Sequence, residues 1–333
     1  MKKAVELPIV KPLYSTYHYQ GNGSAVLKNN KSIRNWYYNQ VMNLQCTKGF
    51  LQGRTTPDIK IPLSFTVDNP YLDRHALPMK YLNGHVHPVI RALLDDGYYV
   101  AFHGIDDYYV SGKSWYKKKH FNHDGLICGY DQTDKTYRIF AYDQNWIYRV
   151  FKTPQKAFDN GRKAMFKQQQ YGAICGLKPK NDPVELSPTD ICTNLKEYLN
   201  STFEKYPPEQ DGVVNGCIVH DYIALYLDKL AEGYIPYERM DSRVFPLIWE
   251  HKTVMSQRIQ AVESKLQLGH KMGDRYGQIV KEADNMRMLY ASHHMKRRDA
   301  LLPVIRQKLI AMKDQEETLL KNFIEDMEGA MKT

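Results

Sequence analysis

The chain has 333 residues, 43% hydrophobic and 25% charged, which is ordinary globular composition and enough length for two cores. No window reaches the ~18 consecutive apolar residues of a membrane helix, and the opening Met1-Lys2-Lys3-Ala4-Val5-Glu6-Leu7-Pro8 lacks the apolar stretch of a signal peptide, so a cytoplasmic protein is expected. The formal net charge of +9 steers acidic partners to the surface, but with no zinc finger, RNP-like strand or long basic tract, nucleic acid is not favoured.

Apolar positions three to four apart (Ile33, Trp36, Tyr37, Val41, Leu44) predict an amphipathic helix over 33–50, with Cys46 near its end. Prolines 57, 62, 70 and 78 then cut the chain into short extended pieces, such as 59–61 and 64–67. A short helix over 89–94 should stop at Asp95-Asp96-Gly97, where glycine can adopt the left-handed cap. Beyond it, β-rich runs predict strands at 98–102, 123–129, 137–142, 146–151 and 171–177, with a turn at 131–135 and a helix over 154–166. This pattern implies a mostly antiparallel sheet.

The run Lys178-Pro179-Lys180-Asn181-Asp182-Pro183 is linker-like, and helical periodicity replaces the β pattern after it. The fold class is therefore α+β, with domains at 1–180 and 184–333. Helices are expected at 187–203, where Ser187-Pro188 supplies a cap, and at 220–231. Two longer stripes follow, Ile248, Met255, Ile259, Val262, Leu266 and Leu302, Ile305, Leu309, Met312, Leu319, Phe323, the spacing of a helical bundle. Such stripes permit a homodimer through the C-terminal helices.

Five widely spaced cysteines (46, 128, 175, 192 and 217) support neither a disulfide framework nor a zinc ribbon. The pairs His85-x-His87, His120-x-x-His123 and His293-His294 match no zinc signature, so no metal is expected. His123 heads one strand and Asp143 ends its hairpin partner, so an antiparallel ladder brings both to one sheet edge. A carboxylate holding an imidazole is the orienting half of a nucleophilic triad. Asn145 competes with Asp143 for that role.

The runs Gly97-Tyr98-Tyr99-Val100, Asp106-Asp107-Tyr108-Tyr109 and 120–131, His-Phe-Asn-His-Asp-Gly-Leu-Ile-Cys-Gly-Tyr-Asp, carry a resemblance. Over roughly residues 10–180 the chain resembles proteins of antibiotic gene clusters related to butirosin biosynthesis protein H, and more distantly papain-like cysteine peptidases. The resemblance implies a papain-like domain with an antiparallel sheet and an appended all-α domain. It also implies acyl transfer from a carrier-protein thioester to a small-molecule amine, without cofactor, in the assembly of a nonribosomal peptide or similar metabolite.

On that reading His123 is the base and Asp143 the orienter, while Ser24, Tyr108 and Asn145 contact substrate. Papain-like proteins place the nucleophilic cysteine at the start of the first core helix. Here that position falls in Gln20-Gly21-Asn22-Gly23-Ser24-Ala25-Val26-Leu27, which has no cysteine. The nucleophile is then Cys46, Ser24 or none. A peptidase-like hydrolase and a noncatalytic scaffold are the rival functions. The basic run Lys117-Lys118-Lys119 would dock the acidic acyl or peptidyl carrier protein.

Overall fold

The computed structural model describes residues 2–26, 31–53, 56–63, 69–82, 84–170, 172–202, 212–269 and 271–332, and the side chains of residues 31 and 32 lie outside that description. The extended piece expected at 64–67 falls outside these residues, as do positions 171 and 203, which bounded an expected strand and helix. In chain order the elements are β1 (Ala4–Glu6), α1 (His18–Ala25), α2 (Lys31–Gln40), β2 (Gln45–Thr47), β3 (Leu72–Pro78), α3 (Val86–Asp95), β4 (Tyr99–Asp106) and β5 (Asn122–Asp131). They continue with β6 (Thr136–Tyr142), β7 (Tyr148–Pro154), α4 (Gln155–Lys167), β8 (Ala173–Pro179), α5 (Pro188–Leu199), β9 (Val213–Asn215), α6 (Val219–Ala231), α7 (Val244–Leu266), α8 (Met272–Lys296) and α9 (Leu301–Lys332). No described helix is long and apolar enough to cross a membrane. The fold is α+β.

The chain divides into two compact units, one of residues 1–30 and 64–182, the other of 31–63 and 183–333. The first unit holds an antiparallel sheet in the order β3-β8-β4-β5-β6-β7, with β1 also paired to β5. Val100, Ile127, Ile139, Ala141 and Ile174 from the strands join Ile90 and Leu94 of α3 and Phe158 of α4 in one apolar core. Alternation along β6 turns Phe140 and Tyr142 to the opposite face, where both rings meet Tyr148 and Tyr142 also meets His18 of α1. Gly97 closes α3 with φ +84°, the left-handed conformation its position suggests.

One irregularity positions the site. Register slips by one residue between Phe102 and Ile105, so Phe102 faces Gly125 but Ile105 faces His123 and Asp106 faces Asn122. This β-bulge passes through Gly104, at φ +81°, where an added Cβ would stand 2.4 Å from the Gly172 Cα, so only glycine fits. The extra residue carries Asp106 and Asp107 to the rim where β5 begins.

The second unit is a helical assembly with a small β2–β9 ladder. Segment 31–63 belongs here, not with the N-terminal sheet to which the expected boundary assigned it. Buried Arg258 of α7 gives the reason, since its guanidinium donates to the carbonyl oxygens of Tyr38 (2.8 Å), Tyr37 (3.3 Å) and Val41. These carbonyls lie at the C-terminus of α2, where Tyr37 also accepts the Val41 N–H, so a tertiary contact caps a helix that carries no glycine or proline stop. The expected helix over 33–50 therefore stops at Gln40, and Cys46 lies in β2 opposite Val214. Between the two long stripes read from the sequence stands a third helix, α8, whose buried Met272, Tyr276, Ile279, Ala283, Met286, Tyr290 and His293 keep a heptad rhythm.

Candidate functional site

In the first unit, the Nδ1 of His123 lies 2.8 Å from Asp107 Oδ2. The other carboxylate oxygen of Asp107 forms a 3.5 Å ion pair with Lys113, whose ammonium also donates to the Asp124 carbonyl at 2.8 Å. Both Asp107 and Lys113 are buried, so each compensates the other's charge. Burial pulls the Lys113 pKa below its ordinary value, and Asp107 and Asp124 only partly oppose it. Burial likewise raises Asp124.

The ring of His18, first residue of α1, meets the His123 ring edge-on at 4.4 Å. Its Nε2 accepts the Tyr142 backbone N–H at 3.3 Å, and burial, Lys113 and His123 together push its pKa well down. His18 is therefore a neutral imidazole, protonated at Nδ1, that fixes the position of its neighbour. His123 is itself partly exposed, and its Nε2 has no partner among the described residues. With Nδ1–H held by Asp107, Nε2 presents a lone pair, the arrangement of an oriented general base.

The residues expected from the sequence divide around this centre. The ladder does bring Asp143 to the rim where β5 starts, but its carboxylate is not the partner of His123. It accepts the backbone N–H groups of Asn145 (2.8 Å) and Ile147 (2.9 Å) and the Arg149 guanidinium, which closes the hairpin turn. Burial pushes its pKa up, but these donors outweigh that effect and hold the carboxyl below the usual range. Asn145 has an exposed side chain at the tip of the same turn. Tyr108 stacks on His120 at 4.3 Å and not on His123.

The proposed nucleophiles are not activated. Ser24 is buried in α1, and its hydroxyl donates back to the Gln20 and Gly21 carbonyls at 3.2 Å. Cys46 belongs to the second unit, where burial pushes its thiol up to about 12. Burial raises the other four cysteines as well, so none is a thiolate at neutral pH. The helix expected to open with the nucleophile opens instead with His18.

Asp107, Lys113 and His18 were missed by the sequence reading. Asp106-Asp107 stood in view, but at its His123 end β5 lies between β4 and β6, and only the bulge in β4 selects Asp107. Two residues after His18 in α1, the amide of Gln20 is wholly buried, with neither its oxygen nor its nitrogen hydrogen-bonded among the described residues. Such an unpaired amide stands ready to donate or accept.

In the second unit, donor atoms of Cys217, His220 and Glu316 lie within 4.8 Å of one another. Glu316 is already saturated, since Lys252 donates to both its oxygens (2.8 and 2.6 Å), Tyr198 to one and Tyr276 to the other. The Lys252 ammonium occupies the cation's place in this cluster. No protein-family model matches the sequence, and no curated protein matches it.

Proposed function

We propose that the protein forms amides by moving an acyl group from a carrier-protein thioester to a small-molecule amine, on a papain-like first unit related to butirosin biosynthesis protein H. The observation that carries this reading is the Asp107–His123 dyad with an unengaged Nε2, in a protein whose cysteines are all held as thiols. No acyl-enzyme is needed. His123 Nε2 takes a proton from the amine as its nitrogen attacks the thioester carbonyl; the C–S bond then breaks, and the imidazolium returns the proton to the departing thiolate. No cofactor enters this balance.

Carrier docking is supported by the surface beside the dyad. Phe121 meets His123 at 5.0 Å and Trp115 at 6.0 Å, Trp146 lies 6.1 Å from Trp115, and Lys119 sits over the Trp115 ring. Lys117 and Lys118 follow Trp115 in the same loop. Apolar rings rimmed by lysines suit an acidic helical partner.

The test is aminolysis of an acyl-carrier thioester, followed by mass spectrometry of the amide and of the intact protein. Amide formation without a protein adduct, abolished in His123→Ala, is the expected result. A Cys46 or Ser24 adduct would overturn the direct mechanism, and release of free acid alone would turn the reading to hydrolysis. Equal rates with and without protein would leave a binding module, the reading that the unactivated Cys46 and Ser24 favour.

A further inference from the structure

Asp106 and Asp107 are consecutive, yet they hold different histidines. Asp106, fully buried, accepts the backbone N–H groups of Tyr108 and Phe121 on Oδ1, both at 3.1 Å, and faces His120 Nδ1 at 2.6 Å through Oδ2. The His120 ring is further clamped by stacking on Tyr108, while its side chain remains largely open to solvent. Its Nε2 has no partner among the described residues. This second dyad takes no part in the amide-forming reading.

His120 and Tyr109 form one wall of a cleft of about 490 Å³. The other wall is one face of α4, where Asn160, Lys163, Ala164 and Lys167 recur at the three-to-four spacing that aligns side chains on a helix. Ala164 leaves room between the two lysines. Among the described residues, no acidic side chain lines the cleft and neither Lys163 nor Lys167 has a carboxylate partner. Two uncompensated ammonium groups face an imidazole held in place by a buried carboxylate, beside the flat ring of Tyr109. A cleft of this size exceeds what a bare anion fills, and its rings offer stacking to a planar group.

We infer that this cleft binds a small organic phosphate, its anionic group held by Lys163, Lys167 and His120 Nε2 and its planar part resting on the Tyr109 ring. Ammonium and imidazole donors from two walls form charge-assisted hydrogen bonds to phosphate oxygens. The site is distinct from His123 and does not rest on the amide-forming activity.

Titration calorimetry of the full chain with adenosine 5′-monophosphate, adenosine and citrate tests the inference. Saturable binding of the monophosphate is expected, at least tenfold tighter than adenosine. Lys163→Gln/Lys167→Gln should weaken it by at least about tenfold and His120→Gln by less, with unchanged circular dichroism. These side chains are exposed, so folding should survive the changes. His123→Ala should bind like the wild type. No saturable binding of the monophosphate, equal binding of adenosine, binding of citrate alone, or an unaltered affinity in the double-lysine variant would each overturn the site.

Discussion

Each unit of this protein buries a lysine against a carboxylate beside histidines, and the two clusters end differently. In the helical unit, Glu316 accepts four hydrogen bonds from Lys252, Tyr198 and Tyr276, with His220 at 3.9 Å, and every member is sealed from solvent. In the sheet unit, Asp107 divides its oxygens between Lys113 and His123, and one ring nitrogen is left over at a partly exposed position. Both clusters leave a ring nitrogen unpaired, but His220 Nε2 is sealed inside the helices while His123 is partly open; a buried network specifies packing, and one that ends on an unfilled group at the surface can act on a second molecule. Composition alone does not separate the two cases.

The largest effect that sharpens this contrast is on rate. His123→Ala should lower aminolysis by about 10²- to 10⁴-fold, the usual worth of a positioned base. Asp107→Asn should lower the rate too, because an amide can hold the ring in the wrong tautomer, whereas Asp143→Asn should leave turnover within about threefold of wild type. Steady-state kinetics of the three variants decides between the two aspartates.

On stability the order reverses. Glu316→Ala should cost about 3–5 kcal/mol, because it strands a buried ammonium, while Lys252→Met/Glu316→Leu together should cost far less. Denaturant midpoints check this, and equal losses in the single and double variants would show that Glu316 serves packing alone.

Acid provides a third handle. Burial, then Lys252, lowers His220 to about 4 from the ordinary 6.5, so between these values the unfolded chain takes a proton that the folded one refuses. Its contribution is present above 6.5 and lost as pH falls through 4. Glu316 resists the upward push of burial and is held at about 2, instead of 4.5, chiefly by Lys252, His220 and His251. That contribution is complete above 4.5 and disappears as pH falls toward 2. Both shifts predict stability falling on acidification, and His220→Gln should flatten the part between 6.5 and 4 in guanidinium titrations at pH 7, 5 and 4. A midpoint that does not move between pH 7 and 5 would contradict it.

The smallest expected effect is at Cys46. Replacement by alanine removes one buried sulfur from a short ladder and should cost no more than about 1.5 kcal/mol, with turnover unaltered. Loss of turnover in that variant would restore the cysteine as nucleophile.

Much of the sheet was legible because alternation, turn residues and the Asp95-Asp96-Gly97 stop are local signals. The end of α2 was not, because Arg258 supplies its cap from more than 200 residues away. Helix α8 kept a regular heptad, but its stripe mixes Tyr, Ala, Met and His with polar neighbours and hides the period. In α9, Glu316 occupies a core position that an apolar count passes over, and Leu319, counted in the stripe, is only half-buried. His123 was identified from its place at a strand start; its true partner was not, since a ladder brings neighbours from both sides to the same rim.

By itself, the order of residues determined the α+β class, the β-rich stretch before residue 180 and the helical one after it, and the histidine on which the candidate chemistry turns. Periodicity and turn propensity act over a few residues and survive without a fold. Only the tertiary structure decided that Asp107 and not Asp143 meets His123, that Cys46 is a sealed thiol, and that residues 31–63 pack with the helices. Those outcomes depend on a one-residue bulge and on caps and charges supplied from distant parts of the chain, which no local pattern encodes.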